Sequence, residues 1–427
     1  MKHWYLSLVF LIGHLASSGQ LSKETISTDF VLHQRRVDFD KYMREKTINA
    51  TFAQPLDSNS EENYREACWA ISQFLLRSAE IEKGFRTLFT NYATVDTSTR
   101  RALLEAVYGV YPTEYKKVIV ELLRKETTPK LFAMQLIYLY RLDNSTTNIR
   151  SLRKMIARQF AGYTDRTLLN ELDHYLQKHE SFVSQPTPSI RSLLLHQKIT
   201  GQKIIYSFQR WNRDYPGLAV IQHADGSFSK DANGKLLVVE QLARSASNLP
   251  YFITNGSTPQ GIYSIQGTDV SNNKFIGPTP NIQLVMPNET DSIFWHTPFD
   301  STKDALANYL ELLPKSWRSY GPITESFFAG KIGRTEIIAH GTTIDPDYFK
   351  DKPYYPLTPT MGCLCAKENW NIFNGKFIQS DQFNLTTGFL STPGNKGYLI
   401  VVNLDNQQKT VSRDEIEKII LDYEHKK

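Results

Sequence analysis

The sequence predicts an α+β protein, in which an all-α N-terminal domain is followed by a β-rich C-terminal domain. Apolar residues recur at helical spacing between positions 61 and 182. Beyond a segment rich in proline and serine, short aliphatic runs alternate with Gly, Asn and Pro, as expected for strands and turns. This change divides the chain into a helical domain at 61–183, a linker at 184–190 and a β-rich domain at 191–427.

The N-terminus has the order of regions typical of a secretory signal peptide. Lys2 and His3 precede an apolar run at 5–12, and the small residues Ala16-Ser17-Ser18-Gly19 follow. We therefore predict a signal peptide at 1–19, an N-terminal extension at 20–60, and export to the periplasm or cell envelope of a bacterium. The apolar run is too short for a comfortable membrane span and no later segment offers one, so we expect no membrane span after cleavage.

Three apolar stripes mark helices of the N-terminal domain. They comprise Cys68, Ile71, Phe74 and Leu75, then Leu103, Leu104, Val107 and Val110, and then Leu131, Met134, Leu136, Ile137, Leu139 and Tyr140. Pro129 gives the third helix a start signal, and Pro112 in the same way opens a helix that runs through Leu123. Two helices that begin at prolines in succession favour a HEAT-like array of helix pairs.

The C-terminal domain is predicted to consist of short strands with peripheral helices. Strand candidates lie at 218–221, 236–239, 261–265, 282–285, 336–339 and 398–402. We also predict a helix at about 303–313 and a C-terminal helix capped by Ser412-Arg413-Asp414-Glu415.

Composition and cysteine usage narrow the classes of partner and cofactor. A hydrophobic content of 41% and a charged content of 22% are those of a folded protein rather than a disordered one. The net charge of +5 is too small for a nucleic-acid-binding surface, so we expect no nucleic-acid partner. The three cysteines, Cys68, Cys363 and Cys365, are too few for a disulfide framework or a structural zinc site. We expect neither a metal nor an organic cofactor.

A thiol and an imidazole lie in two segments whose sequences suit nucleophilic catalysis. Cys363 follows Gly362, and His340 ends a β-type segment that runs into Gly341-Thr342. A thiol becomes a nucleophile when a base or a positive environment supplies thiolate near neutral pH. A single Cys is more often a buried inert thiol, and a single His a hydrogen-bonded core residue. The pair together with its glycine neighbours favours catalysis.

The two segments resemble the catalytic motifs of the L,D-transpeptidase (YkuD-type) family. Ile338-Ala339-His340-Gly341-Thr342 matches the family's His-Gly-Thr strand end, and Thr360-Met361-Gly362-Cys363-Leu364 matches its later Ser/Thr-His-Gly-Cys-hydrophobic motif. Met361 stands where the family usually has a second His, and Cys365 where it has Arg or Asn. Upstream, Thr258-Pro259-Gln260-Gly261-Ile262-Tyr263 resembles the family's Thr-Pro-x-Gly-x-Tyr/Phe turn and strand.

The resemblance covers about residues 215–405 and implies roles for individual side chains. Cys363 would be the nucleophile and His340 the base, held by the backbone carbonyl of Gly341. Backbone N–H groups around Met361 and Gly362 would stabilise an oxyanion. Candidates for the substrate groove are Thr342, Thr360, Tyr263, Tyr354, Tyr355 and His296.

The function implied is that of an exported, cysteine-dependent L,D-transpeptidase-like enzyme acting on peptidoglycan stem peptides through a Cys acyl-enzyme. The alternatives are an L,D-carboxypeptidase or amide hydrolase of the same fold, and a catalytically weakened module that binds peptidoglycan or a partner. The helical domain is expected to place substrate or to bind an envelope protein. A papain-like protease is disfavoured because its Cys would normally precede its His in the chain. An aromatic insertion between His340 and Cys363 either covers the active site or is a packed surface loop.

Overall fold

A computed structural model describes residues 22–181 and 185–425, with helices in the N-terminal half and a closed eight-stranded sheet in the C-terminal half. The predicted α+β class is confirmed at this level. The signal peptide predicted at 1–19 lies outside the described residues.

The N-terminal half is a succession of helices that stack on one another. They are α1 (His33–Tyr42), α2 (Glu61–Phe74), α3 (Ala79–Thr90), α4 (Thr97–Val110), α5 (Lys116–Leu123), α6 (Pro129–Leu142), α7 (Thr146–Gln159) and α8 (Thr167–Ser181). Helices α2, α4, α6 and α8 pack in sequence, and α5 and α7 lie against α6 and α8. The order is that of stacked helix pairs.

The start of one predicted helix in this half differs from the structure. The helix predicted from Pro112 begins at Lys116, because residues 112–115 form a turn whose Tyr115 N–H donates to the Tyr138 hydroxyl at 3.0 Å. The extension predicted at 20–60 contains α1 and a π-helix at Met43–Ala50. Its few apolar side chains, such as Ile48, join the core of the helices that follow, which is a tertiary effect invisible to periodicity.

The C-terminal half is built around a barrel with peripheral helices. The strands are β1 (Ile204–Arg210), β2 (Gly217–Gln222), β3 (Val239–Leu242), β4 (Gly261–Asp269), β5 (Asn281–Val285), β6 (Ala339–His340), β7 (Leu364–Ala366), β8 (Glu368–Trp370), β9 (Phe377–Ser380) and β10 (Gly397–Asp405). The helices are α9 (Ile190–Thr200), α10 (Asp291–Phe294), α11 (Ala305–Glu311), α12 (Glu325–Lys331), α13 (Asp381–Leu390) and α14 (Arg413–His425). The barrel order is β1-β10-β4-β5-β6-β7-β3-β2, and β8 and β9 form a separate hairpin.

The strand predictions succeed where apolar runs are long. Those at 218–221, 261–265, 282–285 and 398–402 are present, whereas the runs at 236–239 and 336–339 contribute little more than their last residues. Strand β1 was not predicted because it buries polar groups. Its Arg210 is fully buried and forms ion pairs with Asp405 at 2.9 Å and Glu415 at 2.8 Å, which satisfy its charge.

The candidate catalytic segments meet as two neighbouring strands. β6 and β7 pair in parallel, with Ala339 opposite Leu364 and His340 opposite Cys365. Ala339 and Leu364 face the core beneath α13. Because successive strand residues point to opposite faces, His340 and Cys365 face the other side.

One hydrophobic core crosses the boundary between the two halves. Leu242 in β3, and Phe349 and Leu357 in the segment between β6 and β7, belong to the same buried cluster as the helices α2–α8. The two halves therefore share a core, and the predicted domain boundaries stay predictions. In the described part of the chain, no helix combines the length and apolar character that crossing a membrane requires.

Candidate active site

His340 is a buried imidazole held in a defined orientation at the end of β6. Its exposed fraction is 6%, and its Nδ1 is hydrogen-bonded to the carbonyl oxygen of Gly341, the contact expected from the family resemblance. A carbonyl only accepts, so Nδ1 carries the proton and Nε2 is the nitrogen able to accept one. Burial lowers the pKa of His340 to about 4, which keeps the ring neutral at physiological pH.

Cys363 lies just before β7 and is partly accessible, unlike the other two thiols. Cys68 and Cys365 are 0% and 1% exposed. Burial raises the pKa of Cys363 to about 11, and Glu336 adds to the effect, while the Ile338 N–H and Arg334 oppose it. The resting site therefore pairs a neutral thiol with a neutral imidazole rather than a thiolate with an imidazolium.

The thiol and the imidazole lie on paired segments of the sheet but are not hydrogen-bonded. Cys365, not Cys363, lies opposite His340 in the register of β6 and β7, so Cys363 is displaced by two residues along the sheet. The Cys363 Sγ donates to the Glu336 carbonyl at 3.5 Å. Among the described residues no sulfur–imidazole hydrogen bond is present. Proton transfer from Sγ to Nε2 would require this thiol to rotate away from Glu336.

A tight turn carries the residues that precede the thiol. Gly362 has φ 115°, in the region that favours glycine. The Thr360 hydroxyl donates to the Cys363 carbonyl at 2.9 Å and accepts from the Gly362 N–H at 3.0 Å. The Gly362 N–H, which we expected to serve an oxyanion, is thus engaged. Among described residues the N–H groups of Met361 and Cys363 have no such partner, so these two are the better oxyanion donors.

A buried arginine beneath this turn was missed by the sequence analysis. Arg334 is 6% exposed and donates to the carbonyls of Gly256 at 2.9 Å and Ser257 at 3.1 Å, and also to that of Tyr251. Burial lowers its pKa to about 10, which leaves it charged at neutral pH. Of the described carboxylates, none lies within ion-pair distance of it. The thiolate of Cys363 would supply its missing counter-charge, so Arg334 favours the reactive form of the thiol.

A second missed residue supports the turn that follows His340. The Glu368 carboxylate accepts from the Thr342 N–H at 2.8 Å and from the Ser380 hydroxyl. A Cβ on Gly341 would come within 2.2 Å of this carboxylate, so a larger residue there would have to displace the Glu368 side chain. Burial raises the pKa of Glu368 to about 7, although these hydrogen bonds oppose the rise. No motif in the sequence marks Glu368, because its role depends on the hairpin that carries it.

Several predicted groove residues are structural. The Thr342 hydroxyl lies in a buried network with Thr358, at 3.1 Å, and Thr360 closes the turn described above. Tyr263 is 0% exposed and donates to the Pro259 carbonyl at 2.8 Å. Tyr354 is also fully buried, with the Arg244 guanidinium 4.7 Å from its ring centroid. These side chains are unavailable to substrate because the core and the inserted segment enclose them.

The remaining two groove candidates are Tyr355 and His296. Tyr355 is 45% exposed and points to solvent. The His296 Nε2 is hydrogen-bonded to Ser264 at 2.7 Å, and its ring packs against Tyr398. Burial lowers the pKa of His296. None of these partners belongs to the Cys363 turn. His296 therefore does not replace the second histidine of the family motif, whose position Met361 occupies.

The aromatic insertion packs against the N-terminal helices. Tyr348 packs against Phe74 with ring centroids 4.8 Å apart and planes tilted by 52°, and it donates to Asp40 at 2.9 Å. Arg36 forms an ion pair with Asp345 at 3.1 Å. These contacts place helical residues next to the candidate site.

Comparison of the chain with protein-family models, with curated proteins and with solved structures gives no match.

Proposed function

We propose that the protein is an exported cysteine acyltransferase of the L,D-transpeptidase type, acting on peptidoglycan stem peptides in a bacterial cell envelope. One observation carries the proposal. A partly accessible thiol, Cys363, precedes a strand paired in parallel with the strand that ends at a neutral imidazole, His340, whose Nδ1 is held by Gly341. The finer fold assignment, an L,D-transpeptidase-like barrel behind a HEAT-like helical array, is part of this proposal.

The proposed reaction uses the two groups in turn. His340 Nε2 takes the proton of the Cys363 thiol as sulfur attacks the carbonyl between the L-centre of a diamino acid and a terminal D-residue. The C–S bond forms, the C–N bond breaks, and His340 returns the proton to the leaving amine. An acceptor amine then attacks the thioester and releases the thiol. Water as the acceptor gives the carboxypeptidase or amide hydrolase outcome.

Groups around the turn stabilise the two negatively charged species of this reaction, the thiolate and the oxyanion. Arg334 stabilises the thiolate, and the N–H groups of Met361 and Cys363 stabilise the oxyanion. The chemistry requires neither a metal nor an organic cofactor.

A specific contact favours a second candidate, a catalytically weakened module that binds peptidoglycan or an envelope partner. The Cys363 thiol is hydrogen-bonded to Glu336 rather than to His340, and its raised pKa makes it unreactive at rest. A protein that only binds would keep this arrangement.

Acylation by a carbapenem-type lactam, followed by intact-mass spectrometry, separates the two candidates. The wild type is expected to gain one lactam mass on Cys363, and His340→Ala to lose this acylation while iodoacetamide still labels the thiol. His33→Ala, a change at an exposed histidine, is the matched control. A wild-type protein that iodoacetamide labels but no lactam acylates, and that leaves tetrapeptide stems intact, would establish the binding module instead.

A further inference from the structure

A cavity of about 240 Å³ lies between the helices and the turn that carries the thiol. Its walls are parts of α2 and α4, together with Asn255 and Met361. Met361 is two residues before Cys363, so the cavity lies beside the turn that carries the candidate nucleophile. Drug-sized ligands occupy cavities of about 300–1,000 Å³, so this one suits a group the size of an amino acid.

The lining contains two arginines and two glutamates, and some of their polar atoms are unused. Arg65 and Glu66 lie on α2, and Arg101 and Glu105 lie on α4. Arg65 forms an ion pair with Glu62 at 3.2 Å. Arg101 donates through Nη1 to Glu105 at 3.2 Å, and among the described residues its other N–H groups have no hydrogen-bond partner. Glu66 is exposed and has neither a hydrogen bond nor an ion pair with any described residue.

A buried hydroxyl in the lining also lacks a partner. Ser72 is 3% exposed, and its Oγ makes no hydrogen bond with the described residues. Buried polar groups are normally satisfied, so an unsatisfied one in a cavity wall points to a ligand.

The positions of the fixed groups are well supported. Glu105 accepts from Asn255 Nδ2 at 3.0 Å, which ties α4 to the loop beneath the thiol turn. On the opposite wall, the Trp69 Nε1–H donates to the Met361 sulfur at 3.1 Å. These two contacts therefore connect both helices of the cavity wall to the C-terminal half, α4 through Asn255 and α2 through Met361.

We infer that this cavity binds a free α-amino acid, with its carboxylate on Arg101 and its ammonium on Glu66. Charge-assisted hydrogen bonds of this kind are short and strong. The biological role rests on the proposed function, because the amine released when the C–N bond breaks is the free terminal D-residue, which is a zwitterion at neutral pH. The helical domain would then contribute the site that receives the leaving group beside the thiol.

The test is calorimetric titration of D-alanine, at up to about 10 mM, into full-length Cys363→Ser. This variant cannot be acylated, so binding is measured apart from the chemistry. D-alanine is expected to bind, while D-alaninamide, which lacks the carboxylate, and N-acetyl-D-alanine, which lacks the ammonium, are each expected to bind at least about tenfold more weakly.

Variants assign the contacts to residues. Arg101→Met and Glu66→Gln are expected to weaken D-alanine binding at least about tenfold. The control variants are Glu121→Gln, at an exposed position on α5, and Arg124→Met, at an exposed position just after it. Both are expected to leave D-alanine binding unchanged. If Arg101→Met loses its native circular dichroism, Glu66→Gln alone decides. No D-alanine binding, or equal binding of all three compounds, would overturn the inference. Binding without lactam acylation of the wild type would keep the inference and remove the proposed function.

Discussion

The ionisation of Cys363 gives the sharpest quantitative prediction. Burial raises its pKa from an ordinary value of 9.0 to about 11, a difference of two pH units. At pH 8 and below, the thiolate fraction is then about 100-fold smaller than that of an exposed thiol. Since the thiolate is the nucleophile, alkylation should be slow at neutral pH and should rise tenfold per pH unit without a plateau up to at least pH 10.

The assay is the rate of iodoacetamide alkylation as a function of pH, followed by mass spectrometry of the digested protein. A pH profile separates ionisation from steric access, because access lowers the rate equally at every pH. Cys363 should be the site of labelling, and Cys363→Ser should remove it, since Cys68 and Cys365 are almost fully buried. A plateau in the alkylation rate with a midpoint at or below pH 9 would refute the reasoning. Labelling of Cys68 or Cys365 before Cys363 would refute it as well.

Three further predictions concern stability. His340→Gln should weaken the pH dependence of the free energy of unfolding in acid. The wild-type imidazole has a lowered pKa of about 4, so its contribution to stability is complete above pH 6.5. As the pH falls towards 4, this contribution is lost, and the free energy of unfolding drops by about 3 kcal/mol. Urea unfolding at pH 7.5 and 4.5 checks this, and equal pH dependence in both proteins would contradict it. Gly362→Ala should cost about 1–3 kcal/mol more than Gly394→Ala in thermal unfolding, because both glycines have positive φ but only the first Cβ would meet Arg334, at 2.4 Å; similar costs would show that the contact relaxes. The fragment 190–427 should lack a cooperative thermal transition because it exposes its share of the common core, and a monomeric fragment as stable as the full chain would restore the picture of two separate domains.

The sequence identified the two strands of the site from short motifs rather than from periodicity. His-Gly-Thr and Gly-Cys are local signals, and the structure places them on the paired strands β6 and β7. It could not supply the register, which sets Cys365 rather than Cys363 opposite His340. Register depends on the pairing partners and on the turn at Gly362, neither of which a single segment encodes.

The long-range contacts of the site could not be predicted from the sequence either. Arg334 and Glu368 belong to no motif, and they matter because folding places them under the turns at Gly362 and Gly341. Tyr263 and Tyr354 were expected to line a groove, but the tertiary structure encloses both. An aromatic residue near a motif has the same local pattern whether it faces substrate or core.

By itself, the sequence determined the class of the fold, the order of its halves, the helices α2, α4 and α6 and the longest strands, because hydrophobic periodicity and turn residues act over a few neighbouring positions. Only the tertiary structure decided that one core joins the helices to the barrel, that the inserted segment packs on α2, and that a cavity with charged residues in its lining lies beside the Met361 turn. Each of these features depends on side chains hundreds of residues apart, as in the contact between Trp69 and Met361. Such contacts form because burying apolar surface lowers the free energy of the folded chain, whatever the separation of the contacting residues in the sequence.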